Sequence, residues 1–255
     1  KFKIEKKNNR IFEGFSMIKD EMMGTWCVIP SPEVTSIICK AGFDFVIVDM
    51  EHGSMDYTLA QRMVTSAQAE GKKAIIRVSR NDESNILRSL DIGSDGIIVP
   101  HIKSVEDVNK CISYSKYPPI GNRGYTPYTK SGGYSVTDSY QEKENEESFV
   151  GIILEDEAGL KNIESIIDND YVDMVYIGTY DISSSLGCKP NDKKVLNELE
   201  RCTRIVRDAG KSVGCLFHNE KELNYFKDIG INFLVYSVDS GILYNSISNV
   251  KNWRV

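Results

Sequence analysis

Paired cysteines, a basic stripe to offset the acidic excess and long apolar runs are all missing from this chain of 255 residues. The cysteines at Cys27, Cys39, Cys111, Cys188, Cys202 and Cys215 are scattered, with no CxxC pair and no metal-finger spacing. A disulfide framework and a zinc ribbon are therefore not indicated, and free thiols in a reducing cytoplasm are expected. Acidic side chains outnumber basic ones, 37 to 31, for a net charge of -6. No basic stripe offsets the excess, which argues against nucleic acid or an anionic membrane as partner. No run approaches the length of a membrane span, and the opening KFKIEKKNNR carries cations without the apolar core of a signal peptide. A soluble cytoplasmic protein is expected. No GxGxxG follows the first strand-like segment and no GxxxxGK[ST] occurs anywhere, which weighs against a nucleotide-binding open sheet.

What is present points to an α/β enzyme. Hydrophobic residues make up 41% and charged residues 27%, ordinary values for a globular chain, and the length suits one domain over 1–255. The most informative stretch is FDFVIVDMEHG, residues 43–53. Its apolar run, 43–48, has the pattern of a strand buried on both faces of a parallel sheet. Directly after it come Asp49, Glu51 and His52, then a glycine. A strand that is core until its end and titratable thereafter fits the catalytic edge of a barrel or doubly wound sheet. Solvated loop charges and a helix cap are the plainer alternative.

The alternation repeats along the chain. An arm of about 1–22, with an amphipathic piece at 11–20, precedes strand patterns at 25–29, 43–48, 74–78, 96–99, 150–154, 172–177, 212–216 and 231–238. Helical patterns fall at 33–40, 57–70, 83–91, 105–114, 139–147, 160–167, 195–209 and 220–229, with a terminal helix at about 240–251. The segment 117–134 holds Pro118, Pro119 and Pro127 with Gly121, Gly124, Gly132 and Gly133, too many breakers for a regular element. Its tyrosines argue for an ordered loop. Strands joined by helical crossovers must run parallel, and this number of units favours a closed (β/α)8 TIM barrel.

In a barrel the strand ends converge on one face. They carry Asp49, Glu51 and His52, then Arg77, His101, Glu155 and Asp156, Asp181, His218 and Asp239. Carboxylates gathered this way repel one another unless a cation joins them, and oxygen-only ligands suit a hard ion such as Mg2+ or Mn2+. Glu155 and Asp181 are the preferred ligands. Asp181 as a helix N-cap and Glu155 as an ion-pair partner remain alternatives. Arg77 offers a rigid fork for a carboxylate-bearing substrate, or else neutralises Asp49 or Glu51. His52 is a general base or a loop histidine held by a backbone carbonyl. His101 and His218 have no local partner and stay unassigned. A Schiff-base mechanism needs a lysine inside a strand, and Lys72, Lys73 and Lys211 sit at strand beginnings, so metal chemistry is preferred.

These residues resemble the HpcH/HpaI family of class II pyruvate aldolases, in the phosphoenolpyruvate/pyruvate barrel superfamily. The resemblance is carried by GFDFVIVDMEHG, IIRV around Arg77, LDIGSDGIIVP, YPPIGNRG, ILEDEAGLKN and IGTYDISSSLG, in that order from about Gly24 to Asp239. It implies Glu155 and Asp181 as ligands of Mg2+ or Mn2+, with Co2+ a third option. Arg77 would hold the keto acid, and His52 would be the catalytic histidine, paired with Asp91 of a neighbouring subunit. Asp49 would be a further active-site acid, and Gly178 with the backbone after it would receive the substrate carboxylate. The family also implies a homo-oligomer, a hexamer or trimer of dimers, with an exchanged C-terminal helix. Two departures, Thr179 with Tyr180 and the tyrosine-rich loop after Gly124, bear on the acceptor. The implied reaction joins pyruvate and an aldehyde, or cleaves a 4-hydroxy-2-oxo acid. A citrate-synthase-like or oxaloacetate-decarboxylating relative is the first alternative, and a non-catalytic keto-acid-binding barrel the second.

Overall fold

The computed structural model describes residues 21–135, 139–251 and 253. The amphipathic piece expected at 11–20 lies outside them. The elements are, in order, β1 (Met22–Cys27), α1 (Pro32–Lys40), β2 (Phe45–Asp49), α2 (Tyr57–Ala69), β3 (Lys73–Arg77), α3 (Glu83–Asp91), β4 (Gly96–Val99) and α4 (Val105–Ser115). The second half comprises α5 (Tyr140–Glu147), β5 (Phe149–Leu154), α6 (Glu157–Lys161), α7 (Ile163–Ile166), β6 (Met174–Ile177), α8 (Thr179–Ser185), α9 (Lys193–Asp208), β7 (Ser212–Phe217), α10 (Glu220–Asp228), β8 (Phe233–Val238) and α11 (Asp239–Lys251). The strands pair in sequence order, all parallel, and β8 returns to β1, closing the (β/α)8 barrel.

Period-two alternation splits each strand between two cores. Outward residues such as Val46, Val48, Ile76, Ile97 and Ile152 pack against the helices. Inward residues, including Phe45, Ile47, Ile75, Ile98, Phe149, Ile153, Met174, Tyr176 and Phe233, fill the barrel. Each fully buried Val, Ile or Phe contributes about 1.5–3 kcal/mol, so the two cores define the register firmly. Large rings need small neighbours: a Cβ on Gly24 would overlap the Phe45 ring, and one on Gly214 would lie 2.7 Å from Tyr176.

Six of the helix starts are set by side-chain caps. Ser31, Asp56, Asp82, Ser104, Asp156 and Asn219 each accept a backbone N–H in the first turn of the following helix. Such a cap is worth about 1 kcal/mol. Asp156 is therefore structural. So is Asp239, whose carboxylate accepts the N–H groups of Val28 and Ile29, both at 3.0 Å. That diversion ends β1 at Cys27, before the expected 25–29 boundary. The expected helix 160–167 is two short helices meeting at Asn162. The N-cap of α8 is Gly178, and Asp181 sits inside the first turn, which corrects the reading of Asp181 as a cap.

Lys73 opens β3, and its Nζ lies 3.0 Å from Asp95. Lys211, just before β7, donates to the carbonyls of Asn169 and Val172. Both lie at the N-terminal end of the barrel, away from the strand ends that carry the site. Among the described residues, no helix is long and apolar enough to cross a membrane.

Candidate active site

The C-terminal ends of β2 and β3 supply an interlocked pair. Inward parity, set by Phe45 and Ile47, aims Asp49 into the barrel mouth, where it is 2% exposed. Its register partner across the sheet is Arg77. The guanidinium forks onto the carboxylate, Nε to Oδ1 at 2.9 Å and Nη2 to Oδ2. Burial works to lower the Arg77 pKa, but Asp49 and Glu51 outweigh it and hold the group above its ordinary value. Asp49 Oδ1 also accepts the N–H groups of Glu51 and His52 at 3.0 and 3.2 Å, fixing the turn after β2. Under the fork, Arg77 lies 4.5 Å from the Trp26 ring centroid, and Trp26 Nε1 donates to the Tyr176 hydroxyl at 3.1 Å.

From Arg77 the charges continue around the rim. Nη1 is 3.1 Å from Glu51 Oε2, and Glu51 Oε1 is 3.0 Å from His101 Nε2. His101 Nδ1 contacts Glu155 Oε1, which also accepts the His101 backbone N–H at 2.8 Å. Glu155 is the inward residue just past β5. Burial raises its pKa; His101 opposes the shift, and Glu51 and Asp181 reinforce it. Glu155 and Asp181 thus share one electrostatic neighbourhood. Glu51 Oε2, although near Arg77, is a buried oxygen without an aligned donor. Crowded carboxylates with an unmet acceptor and no thiolate among them suit a hard divalent cation.

Asp181 is exposed on the first turn of α8. The first N–H groups of a helix have no intrahelical acceptor, so those of Thr179 and Tyr180 are left as donors at the start of α8, whereas the Gly178 N–H is bonded to the Leu154 carbonyl at 3.0 Å. The Thr179 side chain works to lower the pKa of the Cys215 thiol, against the larger effect of burial. The Tyr180 hydroxyl lies 2.7 Å from His218 Nε2.

Two expected residues stand apart from this cluster. His52 is exposed, and its imidazole makes no hydrogen bond to the described residues. Asp91 ends α3, which runs back along the barrel, so it lies at the opposite face from His52. There it pairs with the buried Arg123, Nη2 to Oδ1 at 2.7 Å, and Arg123 also reaches Glu144. The loop after Gly124 lies at that face too, with the Ser131 N–H bonded to the Asp91 carbonyl. Sequence reasoning gave no role to Trp26, Tyr176 or His101. The first two carried a signal in strand parity. His101 carried none beyond its place after β4.

A closed (β/α)8 barrel whose strand ends gather carboxylates and one forked arginine has the form of an enzyme's active site. The chain belongs to the HpcH/HpaI aldolase/citrate lyase family, whose sequence model matches residues 22–246. It is 28% identical over 227 residues to 4-hydroxy-2-oxo-heptane-1,7-dioate aldolase of Shigella flexneri, covering 87% of this chain and 84% of that one. It is 26% identical over 232 residues to 5-keto-4-deoxy-D-glucarate aldolase of Klebsiella pneumoniae, covering 90% and 91%. Among solved structures it resembles citrate synthase SbnG, with a TM-score of 0.84, 28% identity, and 91% and 92% of the two chains covered. The family places the chain among carbon–carbon lyases that use a divalent metal.

Proposed function

We propose that the chain is a class II aldolase that cleaves a 4-hydroxy-2-oxo acid to pyruvate and an aldehyde, or joins them. The observation that carries this reading is the rim assembly, in which the Asp49–Arg77 fork stands beside Glu51, Glu155 and Asp181. Lewis-acid stabilisation of the charge on the keto oxygen would come from a divalent cation, Mg2+ or Mn2+ with Co2+ a third option, held by Glu155 and Asp181. Arg77, locked by Asp49, orients the pyruvyl oxygens and offers donors where negative charge grows. The backbone N–H groups that follow Gly178, at Thr179 and Tyr180, receive the substrate carboxylate. Trp26 and Tyr176 close the floor and exclude water. His52 accepts the proton of the C4 hydroxyl on an imidazole nitrogen and returns it in the synthetic direction. Tyr180, on the rim beside His218, contacts the acceptor aldehyde.

Asp91 lies at the far face of its own barrel, so its pairing with His52 requires a neighbouring subunit. A homo-oligomer, a hexamer built as a trimer of dimers, supplies it. Helix α11 supports this assembly: Leu243, Tyr244, Ile247 and Val250 are exposed along it, an apolar face that suits a second copy.

A second reading keeps the same carbon nucleophile and changes the electrophile to that of a citrate-synthase-like reaction. The likeness to SbnG favours it.

The test is deuterium exchange into the methyl group of pyruvate in D2O, followed by proton NMR with Mg2+ or Mn2+ and with chelator. Exchange that needs the metal, and that is lost in Glu155→Gln and Asp181→Asn, is expected. Full exchange with chelator, or in both variants, would overturn the metal assignment. Metal-dependent consumption of oxaloacetate without pyruvate exchange would favour the second reading. Absence of both reactions would leave a keto-acid-binding barrel.

A further inference from the structure

The chain has three histidines at the rim, and their surroundings differ. His52 is exposed, and His218 meets Tyr180. His101 reaches two carboxylates at once. Its backbone φ is +61°, in the left-handed region that side-chain-bearing residues seldom occupy. Such an outlier persists where the surroundings over-determine it. Here the surroundings are explicit: the His101 N–H is turned onto Glu155 Oε1 at 2.8 Å, and its Nδ1 meets the same oxygen. On the other side, Nε2 lies 3.0 Å from Glu51 Oε1.

The carboxylates it joins are scarcely exposed, at 12% for Glu51 and 11% for Glu155, so each needs a matched donor. His101 completes a contiguous series, Asp49–Arg77–Glu51–His101–Glu155, across the ends of β2 to β5. With Oε1 held by the backbone N–H and contacted by the imidazole of one residue, Oε2 of Glu155 is left to ligate.

We propose that His101 is a positioning residue, whose imidazole and backbone N–H select the ligating oxygen of Glu155 and couple it through Glu51 to Arg77. This rests on the reading in which Glu155 holds a divalent cation. His101 touches neither substrate nor metal in this role. It orients a ligand, as outer partners of metal-binding side chains do.

The experiment measures Mn2+ binding to the full chain without substrate, by electron paramagnetic resonance of free Mn2+. Glycine adopts φ +61° without strain, so His101→Gly removes the imidazole while sparing the backbone. It is expected to weaken Mn2+ binding about 10- to 100-fold with an unchanged melting temperature. His101→Asn tolerates the same backbone and keeps one amide donor toward Glu155, but cannot span to Glu51. It should recover part of the affinity, and it carries the test if the glycine variant fails to fold. Affinity within about twofold of wild type in both variants, where loss of an orienting partner costs tenfold or more, would overturn the proposal. If Glu155→Gln loses Mn2+ while both His101 variants keep it, the metal site stands and only the role of His101 falls. If the wild-type chain binds no Mn2+, the metal reading itself falls, and this proposal with it.

Discussion

Arg77 shows how one residue carries two roles at once. Its fork is already satisfied by Asp49, so its geometry is built in before a keto acid arrives. Arg77→Lys keeps the charge but replaces a planar two-pronged donor with a point charge that cannot hold both Asp49 oxygens. Metal-dependent exchange on pyruvate is expected to fall roughly a hundredfold, the scale of losing one well-placed donor. Exchange at the wild-type rate would sink the fork role. The cysteines provide a second check at this scale. Burial pushes the Cys111 and Cys215 thiols up to about 12 and that of Cys202 to about 11, and raises Cys27 and Cys39 as well. Thiolate is the reactive form, so near pH 8 these five should resist a disulfide reagent in the native protein. Cys188, only half-buried, should react first, and the rest only after denaturation. Prompt reaction of all the thiols under native conditions would contradict the packing.

At the scale of elements, the barrel interior depends on pairing rings with absent side chains. Phe45 stacks on Phe233 with centroids 4.1 Å apart and occupies the space that a side chain on β1 would need at Gly24. Gly24→Ala should therefore cost about 1–3 kcal/mol, as overpacking does, read as a lower denaturant midpoint with an unchanged slope. Wild-type stability would show that the interior yields more easily than its packing indicates. The loop after α4 is held in the same concrete way. Tyr117, Tyr125 and Tyr140 cluster with centroids 5.9 Å apart, and the Arg123 guanidinium lies 4.7 Å over the Tyr117 ring while binding Asp91 and Glu144. Burial raises the Glu144 pKa against the pull of Arg123. Of the tyrosines that argued for order in the sequence, Tyr117 and Tyr125 are thus part of its anchor, whereas Tyr128 and Tyr134 are exposed.

For the whole molecule, the decisive separation is between His52 at one face of the barrel and Asp91 at the other. If the two act together, they do so across a subunit boundary. His52→Ala and Asp91→Asn should each be nearly inactive alone. Unfolded together and refolded as a mixture, they should regain part of the activity, because some interfaces then pair an intact His52 with an intact Asp91. A mixture no more active than its parts would confine the chemistry to single chains. Deleting residues 241–255, which removes the exposed Leu243, Tyr244 and Ile247, should lower the particle mass in light scattering if α11 packs on a neighbour.

The architecture was legible in the linear chain because its causes are local. Apolar runs such as 43–48 and 96–99, polar caps such as Ser104 and closing glycines act within a few residues, and their alternation leaves a parallel barrel as the compact solution. The placing of Glu155 and Asp181 at strand ends was local in the same sense. Which side chains meet was not. Asp49 finds Arg77, and His101 finds Glu51 and Glu155, only after the sheet closes and sets neighbouring strands in register. Strand boundaries shifted for the same reason, as when Asp239 captured the N–H groups of Val28 and Ile29 and ended β1 early. Periodicity is a property of neighbours in the chain, whereas a site of titratable groups is a property of neighbours in space, and only tertiary packing turns the first into the second.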